Sequence, residues 1–407
     1  MGIVSQPMEE RERKPDLGQS PPPDILVVGH SCFTSVNRNI YIRLAERGWR
    51  VELVVPQYLP MWHQSPADPR RAQDPPIHWI KVSGSHQRFW RFKGLRAVLE
   101  RRLPRAVYLE GDPATFLAIS VARWARRHQV PLLCYTNENS LLPVGETVRR
   151  IRVPTALRTL RSLFLVRFTR DVVAHTLVLS NASLQSMTVL GFGDRASKMP
   201  LGFDDAIFHP DAEARKRIRA KHKLQKPVVA YVGRFGPGKG VEFLVEALEQ
   251  VLDIEWDFLL DDFRKVGDYA SRIYERIAAN PRLAARTQRF HADHYEIADY
   301  MNAFDVVVAP SCLREQYGRV LAEAMACGKV VIAADSGAYP EIVGDCGIIV
   351  PKGDAKALAQ ALRRVLTAPS IRSELGSKAA IRAAQELSID VQLRIIHQRL
   401  EDSLSGC

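Results

Sequence analysis

The 407-residue sequence predicts an α/β protein with two doubly wound domains that face each other across a cleft. Three observations predict this class: apolar runs alternate with amphipathic segments, the alternation restarts after residue 200, and no short-period repeat is visible. At 407 residues the chain is long enough for two or three domains, and its 46% of hydrophobic residues can fill their cores. This composition excludes collagen-like, coiled-coil and wholly disordered chains.

The first half begins with a charged, Pro-rich stretch, 1–23, which we expect to be a disordered tail. Continuous apolar runs then predict strands that are buried on both faces, at 25–28, 51–55, 106–109 and 131–135. Amphipathic stretches between these strands predict helices at 40–47 and 114–128. Together they predict a first domain over residues 24–200.

The second half repeats this alternation. Apolar runs predict strands at 228–232, 258–260, 305–309 and 330–333. Helices are predicted at 241–252 and 318–326. Two corners rich in Gly and Asp mark 201–210 as the linker. We therefore expect a second domain over 201–385, followed by a helix over 386–407 that packs back on the first domain.

Several features bear on the compartment. No run of about 18 uncharged apolar residues occurs, and the opening residues lack the apolar core of a secretory signal. The six cysteines are scattered without the spacing of a zinc site or a disulfide framework. We therefore expect a cytoplasmic protein in a reducing environment.

The positive charge of the chain is confined to its first half. The formal net charge is +12, and residues 1–200 hold 29 Lys and Arg against 16 Asp and Glu. The remaining residues hold 28 against 29, and 25 of the 29 cations in the first half are Arg. Because the guanidinium fork suits phosphate and carboxylate, this half is expected to meet an anionic partner. The alternative is a scattered basic surface that only keeps the protein soluble.

Two basic clusters, 86–105 and 147–170, interleave cations with aromatic and aliphatic side chains. This pattern suits an anionic membrane surface, where each Lys or Arg contributes roughly 1 kcal/mol. It could also bind nucleic acid, but no recognised nucleic-acid module accompanies it. In the alternative, the apolar side chains pack inward and the Arg side chains are solvated. We expect peripheral association with the inner face of a membrane, an acceptor that is anionic or linked to lipid, and no nucleic acid.

The loop 233–240, Gly-Arg-Phe-Gly-Pro-Gly-Lys-Gly, lies between a predicted strand and a predicted helix. Glycines such as Gly233 allow a ligand to approach the backbone, and the helix start attracts anions. Arg234 and Lys239 add two cations, so a diphosphate is the expected ligand. The spacing nearly completes a Walker A motif, but Gly240 stands where Ser or Thr should bind Mg²⁺. A glycine-rich turn with surface cations is the other alternative.

A second constellation follows the predicted strand 305–309. Glu315 precedes a helix and Glu323 lies within it, so the two carboxylates flank the N–H groups at the helix start. Such a helix start favours a phosphate, and carboxylates on both sides can accept hydrogen bonds from hydroxyl groups. The arrangement suits a ligand in which a diphosphate joins a sugar to a ribose.

These residues resemble the E-x7-E signature of retaining, family 4 type glycosyltransferases, which have two Rossmann-like domains (the GT-B fold). Three further stretches match: the loop 233–240, Pro-Leu-Gly-Phe-Asp at 200–204, and Tyr-Pro-Glu-Ile-Val at 339–343 with Pro-Lys-Gly-Asp at 351–354. The resemblance covers nearly all of 201–370 and is weaker in the first half.

The resemblance implies a nucleotide-sugar donor held mostly by the second domain. Arg234 and Lys239 would bind the diphosphate and stabilise the leaving group, Glu315 would contact sugar hydroxyls, and Glu323 the ribose hydroxyls. The helix start that would cap the phosphates is formed by Gly318, Arg319, Val320 and Leu321. Such enzymes retain the anomeric configuration, have no settled protein nucleophile and usually need no metal. An oxygen of the leaving group is thought to take the acceptor proton.

Two stretches of the first domain depart from this family pattern. The loop 31–39 lacks the frequent glycine pair, and Thr-Asn-Glu-Asn at 136–139 stands where the family often has a histidine. Glu138 or Asn139 could replace that histidine in orienting the sugar, or could cap the next segment.

The sequence as a whole is interpreted as a retaining hexosyltransferase. It would move a sugar from a nucleoside-diphosphate sugar to a glycan or lipid-linked acceptor in the synthesis of a surface polysaccharide or glycolipid. Two alternatives stay open, a nucleotide-sugar epimerase on the same fold and a catalytically degenerate subunit that only binds nucleotide-sugars.

Overall fold

The computed structural model describes residues 21–59, 66–84, 86–141, 153–261 and 268–405. Within these ranges the chain forms two β-sheets, each with a hydrophobic core on both faces. This confirms the predicted α/β class with two doubly wound domains. Most of the predicted tail 1–23 and the part of the second basic cluster at 147–152 lie outside the described residues.

The first sheet has the strand order β4-β3-β2-β1-β5-β6-β7-β8 in the described part of the chain. Its strands are β1 (Ile25–Gly29), β2 (Val51–Pro56), β3 (Ile77–Ser83), β4 (Arg91–Lys93), β5 (Ala106–Glu110), β6 (Leu132–Thr136), β7 (Val173–Val178) and β8 (Ala196–Lys198). All neighbours are parallel except β3 and β4. Every residue of β1, β2 and β5 is buried, as expected for strands covered on both faces.

Five helices accompany this sheet among the described residues. They are α1 (Asn39–Glu46), α2 (Leu95–Arg102), α3 (Phe116–His128), α4 (Val153–Val166) and α5 (Asn181–Val189). The predicted helix 114–128 begins later, at Phe116, because Thr115 is its N-cap and accepts a hydrogen bond from the Ala118 N–H.

The second sheet has the order β11-β10-β9-β12-β13-β14 in the described residues, and its neighbouring strands are parallel. Its strands are β9 (Val228–Tyr231), β10 (Asp257–Asp261), β11 (Thr287–Phe290), β12 (Val306–Ala309), β13 (Val330–Ala334) and β14 (Ile348–Val350). The neighbours β9 and β12 lead into the two stretches that the sequence marks as phosphate-binding.

The helices of the second domain cover both faces of this sheet. They are α6 (Ala212–Lys221), α7 (Val241–Glu249), α8 (Tyr269–Ala279), α9 (Pro281–Ala284), α10 (Ile297–Ala303), α11 (Arg319–Ala326), α12 (Tyr339–Val343), α13 (Ala355–Thr367) and α14 (Pro369–Arg382). Helix α7 ends three residues before the predicted end at 252, since the chain turns there to bring Trp256 into the core.

The last described helix, α15 (Ile389–Ser405), returns to the first domain. Four apolar side chains of α15 pack in the same core cluster as residues of β1 and β2, namely Ile389, Leu393, Ile396 and Leu400. The chain passes between the domains at two adjacent points, where Phe203 pairs in parallel with Ser388. There the Phe203 N–H donates to the Leu387 carbonyl at 3.3 Å and the Ile389 N–H donates to the Phe203 carbonyl at 2.8 Å.

Candidate active site

The glycine loop 233–240 follows β9 and lies against the end of β12. Gly238 and Gly240 have φ angles of +81° and +74°, which favour glycine. A Cβ atom on Gly240 would lie 1.9 Å from the Pro310 carbonyl oxygen, and the Cys312 N–H donates to the Gly238 carbonyl at 2.8 Å. Only glycine therefore allows the loop to approach the segment that carries Glu315.

Lys239 and Glu315 form an ion pair across the two loops. The Lys239 Nζ atom lies 2.7 Å from the Glu315 Oε1 atom, and both side chains are largely shielded from solvent. Ser311 and Tyr339 also donate hydroxyl hydrogen bonds to the Glu315 carboxylate. Burial and the nearby Glu315 charge raise the pKa of Tyr339, so Tyr339 keeps its proton and remains a donor. Glu315 is thus held in place from three sides.

Helix α11 begins directly after this pair, with Gly318 as its N-cap. The first N–H that bonds within the helix is that of Ala322, which donates to the Gly318 carbonyl at 3.0 Å. The preceding N–H groups at the helix start are therefore available to an anion. The Leu321 side chain is buried in the core, so Leu321 can offer a ligand only its backbone.

Glu323 lies one helical turn after Arg319 on the same face of α11. Its side chain is buried at the floor of the cleft, and burial raises the pKa of Glu323 to about 7, although the nearby Arg319 charge lowers it in part. Arg319 reaches across to the first domain, where its Nη2 atom donates to the Asn37 Oδ1 atom at 3.1 Å. Glu323 is therefore poised to titrate near neutral pH.

A cavity of about 930 Å³ separates the domains at the carboxyl ends of their strands, and we call it the cleft cavity. Ligands bind at this edge in open α/β sheets. The second domain contributes to its wall Gln316, Arg319, Glu323 and His294. The first domain contributes, among others, Glu110, Asp112, Asn137 and Glu138. The domains meet where the Asn137 Nδ2 atom donates to the Gln316 Oε1 atom at 2.7 Å.

The structure does not bring all the predicted donor residues together. Lys239 and Glu315 adjoin the cleft cavity through Gln316 but are not part of its wall. The Arg234 side chain is exposed and forms no ion pair in the described part of the chain. The Tyr231 hydroxyl donates to the Arg234 carbonyl at 2.8 Å, and the role of the Arg234 side chain in donor binding stays a prediction. Gly233 has φ +140° and donates its N–H to the Asp261 carboxylate.

Glu138 lines the cleft cavity, and its role in orienting the sugar stays a prediction. It forms ion pairs with Arg88 and, at 2.7 Å, with Arg158, and it accepts hydrogen bonds from Ser140. Burial raises the pKa of Glu138, but Ser140 and the two guanidinium groups outweigh burial and lower it below its usual range. Glu138 therefore stays ionised, with every oxygen occupied by protein donors. Asn139 is buried, lies outside the wall of the cleft cavity, and its Nδ2 atom has no partner among the described residues.

The sequence analysis missed two carboxylates at the end of β5. Burial raises the pKa of Glu110, and its Oε1 atom accepts a hydrogen bond from the Tyr41 hydroxyl at 2.6 Å. Gly29 makes room for it, since a Cβ atom there would lie 2.4 Å from the Glu110 Cβ atom. Asp112 accepts a hydrogen bond from Thr136, and burial followed by the Glu138 charge raises the pKa of Asp112. Their position after a buried parallel strand was a signal that could have identified them.

The two basic clusters meet at one rim of the cleft cavity. Trp90 and Phe92 pack into the core, as the structural alternative expects. Several other apolar side chains stay exposed, namely Phe89, Phe116, Leu157, Leu160 and Phe164, and we call them the apolar rim. Arg161 and Arg167 lie over the Phe89 and Phe164 rings, at 5.9 and 4.0 Å from the ring centroids. In the described ranges, no helix is both long enough and apolar enough to cross a bilayer.

Comparison with known proteins places this arrangement in a family. A model of the family "Glycosyl transferases group 1" matches residues 226–368. The GDP-mannose-dependent α-(1-6)-phosphatidylinositol monomannoside mannosyltransferase of Mycolicibacterium smegmatis is 30% identical over 292 residues, which are 66% of this chain and 67% of that protein. The lipopolysaccharide core mannosyltransferase LpcC of Rhizobium leguminosarum is 28% identical over 184 residues, 44% of this chain and 51% of that protein.

Solved structures share the whole architecture at low identity. Sucrose-phosphate synthase from Thermosynechococcus elongatus superposes with a TM-score of 0.72 at 22% identity, covering 94% of this chain and 99% of that one. Anabaena HepE in complex with UDP gives a TM-score of 0.73 at 18% identity, covering 93% and 100%. The two doubly wound domains face each other across a cleft, and the mycobacterial relative is 30% identical over two thirds of its own length. This chain therefore belongs to the group 1 glycosyl transferases and has the GT-B fold.

Proposed function

We propose that the protein is a retaining hexosyltransferase that moves a sugar from a nucleoside-diphosphate sugar to a glycan or lipid-linked acceptor. Its product would enter a surface polysaccharide or glycolipid. The observation that carries this proposal is the Lys239–Glu315 ion pair, 2.7 Å long, beside the start of α11. The GDP-mannose dependence of the mycobacterial relative and the UDP bound to HepE support a nucleotide-sugar donor.

The ion pair suggests how a donor would lie. A diphosphate held by Lys239 and by the N–H groups at the start of α11 leaves its sugar within reach of the Glu315 carboxylate. The nucleoside would extend into the cleft cavity, where Glu323 can accept hydrogen bonds from ribose hydroxyls. Lys239 and the helix dipole would supply positive charge as the diphosphate departs, so we propose that no metal is needed.

In this arrangement the protein positions the reactants and supplies no nucleophile. The acceptor hydroxyl would attack the anomeric carbon from the face that the diphosphate leaves, and a diphosphate oxygen would take the hydroxyl proton. The new glycosidic bond would then keep the configuration of the donor. The Glu315 carboxylate orients the donor by accepting hydrogen bonds from the hydroxyl groups of the sugar. Because three donors already hold this carboxylate in place, the entropic cost of that orientation is low.

Nucleotide-sugar binding and slow hydrolysis test this proposal. Donor candidates are screened by the shift in melting temperature, since selective binding stabilises the folded state. Glu315→Gln and Lys239→Ala should abolish hydrolysis of the donor that binds. Lys226→Ala is the matched control, because Lys226 pairs with Glu255 at the opposite end of β9.

Each outcome of these measurements separates the proposal from its alternatives. Hydrolysis that survives both Glu315→Gln and Lys239→Ala contradicts the proposal. A changed sugar released without an acceptor indicates an epimerase, and binding with no turnover indicates a degenerate subunit. Once an acceptor is found, the anomeric configuration of the product, read by NMR, tests retention.

We further propose that the first domain associates peripherally with anionic membranes through the apolar rim and its neighbouring cations. Exposed Leu157, Leu160 and Phe164 on one stretch of α4, beside Arg161 and Arg167, suit the boundary between headgroups and acyl chains. Flotation with anionic vesicles should recover the protein in a salt-sensitive manner. Equal recovery with neutral vesicles, or none with either, would refute the association.

A further inference from the structure

Three arginines from two separate elements converge on the first-domain wall of the cleft cavity. Arg88 comes from the turn before β4, and Arg158 and Arg161 lie one turn apart on α4. The Arg88 Nη1 atom lies 3.3 Å from the Ser162 Oγ atom, which ties the turn to the helix. The two basic clusters of the sequence are therefore one surface in the folded protein.

Glu138 does not neutralise this surface. Its Oε2 atom accepts from both Arg88 and Arg158, and its Oε1 atom accepts the Ser140 N–H at 3.0 Å and the Ser140 hydroxyl. One negative charge thus faces three positive charges, and the Glu138 oxygens have no acceptor capacity left for Arg161.

Parts of the arginine group remain without partners. The Nε atom of Arg158 is buried and has no hydrogen-bond partner among the described residues. Arg161 forms no ion pair in those residues, and burial together with repulsion from Arg88 and Arg158 lowers the pKa of Arg161. Asp112 also lines this wall and its carboxylate accepts the Thr136 hydroxyl, so at most two carboxylates, Asp112 and Glu138, face the three guanidinium groups. The wall therefore carries excess positive charge and unused donors, which favour an anionic ligand.

The arginine group lies on the acceptor side of the proposed donor site. Glu138 directly follows Asn137, which bonds to Gln316 across the cleft at 2.7 Å, and Gln316 directly follows Glu315. On its outer side the group adjoins the apolar rim, since Arg161 lies over the Phe89 ring. A molecule bound there would reach the donor sugar at one end and the protein surface at the other.

We propose that Arg158 and Arg161, with Arg88 behind them, bind a phosphate group of the acceptor. The inference rests on the proposed glycosyl transfer and specifies the acceptor as a phosphorylated molecule. Guanidinium forks suit phosphate oxygens, and Glu138, which is itself bonded to Arg88, holds the Arg158 fork in place. The phosphate belongs either to a lipid headgroup lying on the apolar rim or to a soluble phosphate ester.

The test uses inorganic phosphate and the full chain. Lys239→Ala is made in every variant, so that phosphate binding at the donor loop is removed. Calorimetric titration should show that Arg158→Gln with Arg161→Gln weakens phosphate binding at least about tenfold, the loss expected for charge-assisted hydrogen bonds. Arg161→Gln alone, at an exposed position, should weaken it measurably without affecting folding. The matched control is Arg167→Gln, which removes the same charge just beyond α4 at a residue outside the cavity wall.

Equal phosphate affinity in the parent and in the Arg158 and Arg161 variants overturns the proposal, as does an equal loss in Arg167→Gln. Phosphatidylcholine vesicles with and without phosphatidic acid distinguish the two sources. If binding of the phosphatidic acid vesicles falls more with Arg161→Gln than with Arg167→Gln, the phosphate belongs to a lipid. An effect of Arg161→Gln on inorganic phosphate alone supports a soluble ester. Nucleotide-sugar binding is measured separately in the parent, which keeps Lys239 and Glu315. A parent that binds no nucleotide-sugar, or hydrolysis that survives both Glu315→Gln and Lys239→Ala, overturns the proposed function and not the phosphate site.

Discussion

Substitution of Glu323 by Gln should change how the stability of the protein depends on pH. Burial raises the pKa of Glu323 from 4.5 to about 7. The folded state therefore holds this proton up to a higher pH than the unfolded chain does. As a result, the free energy of unfolding falls as pH rises from about 4.5 to about 7, and it levels off above that range.

The size of the effect follows from the same shift. A displacement from 4.5 to about 7, at about 1.4 kcal/mol per pKa unit, corresponds to roughly 3 kcal/mol of stability lost by pH 8. Glutamine resembles the protonated carboxyl and does not titrate, so Glu323→Gln should avoid this loss. For a domain of this size the melting temperature rises by about 2–4 °C per kcal/mol, so the variant should melt roughly 6–12 °C above the parent at pH 8.

The assay is the melting temperature of parent and variant between pH 4 and pH 9 in a buffer series of constant ionic strength. The difference between the two proteins is the informative quantity, because it removes the titration of every other group. It should be near zero at pH 4, grow through the neutral range and become constant. A difference that does not change with pH would refute the burial of an ionisable Glu323 at the cleft.

Three other substitutions test separate parts of the fold. Gly240→Ala should destabilise the second domain by at least about 2 kcal/mol, because residue 240 has a positive φ and the new Cβ atom would overlap the Pro310 carbonyl. An unchanged free energy of unfolding in urea would contradict the close approach of the two loops. Glu52→Gln should cost about 3–5 kcal/mol, since it removes the buried negative charge that Glu52 places beside the buried Arg102. An unchanged urea midpoint would contradict the burial of this pair. Leu393→Ala should cost about 2–5 kcal/mol in the first domain, and a loss confined to the second domain, seen by hydrogen exchange, would argue against the packing of α15.

The parts of the site that follow from local sequence were predictable. Lys239 and Glu315 are 76 positions apart, yet each follows one of two neighbouring parallel strands, β9 and β12, so the topology brings them to one edge. Glu323 is fixed relative to Arg319 by helical geometry alone. Burial of the strands likewise follows from their continuous apolar runs.

The parts that depend on tertiary packing were not predictable. Glu138 accepts hydrogen bonds from Arg88, 50 positions earlier, and from Arg158, 20 positions later. No spacing rule links these three residues. Arg234 lies in the predicted loop, but the hydrogen bond from the Tyr231 hydroxyl to its carbonyl follows from no spacing rule. Amphipathic periodicity marks α4, yet it does not tell whether Leu157 faces a core or solvent.

The paired crossing at Phe203 and Ser388 has a consequence for how the cleft can open. The two chain segments that join the domains are hydrogen-bonded side by side, so we expect them to bend together as one hinge when the domains move. A Cβ atom on Gly202 would lie 2.5 Å from the Ile389 Cα atom, so only glycine at this position lets the two segments lie so close together. A protease cut within 201–210 should therefore leave both lobes attached, since α15 still tethers the second lobe to the first.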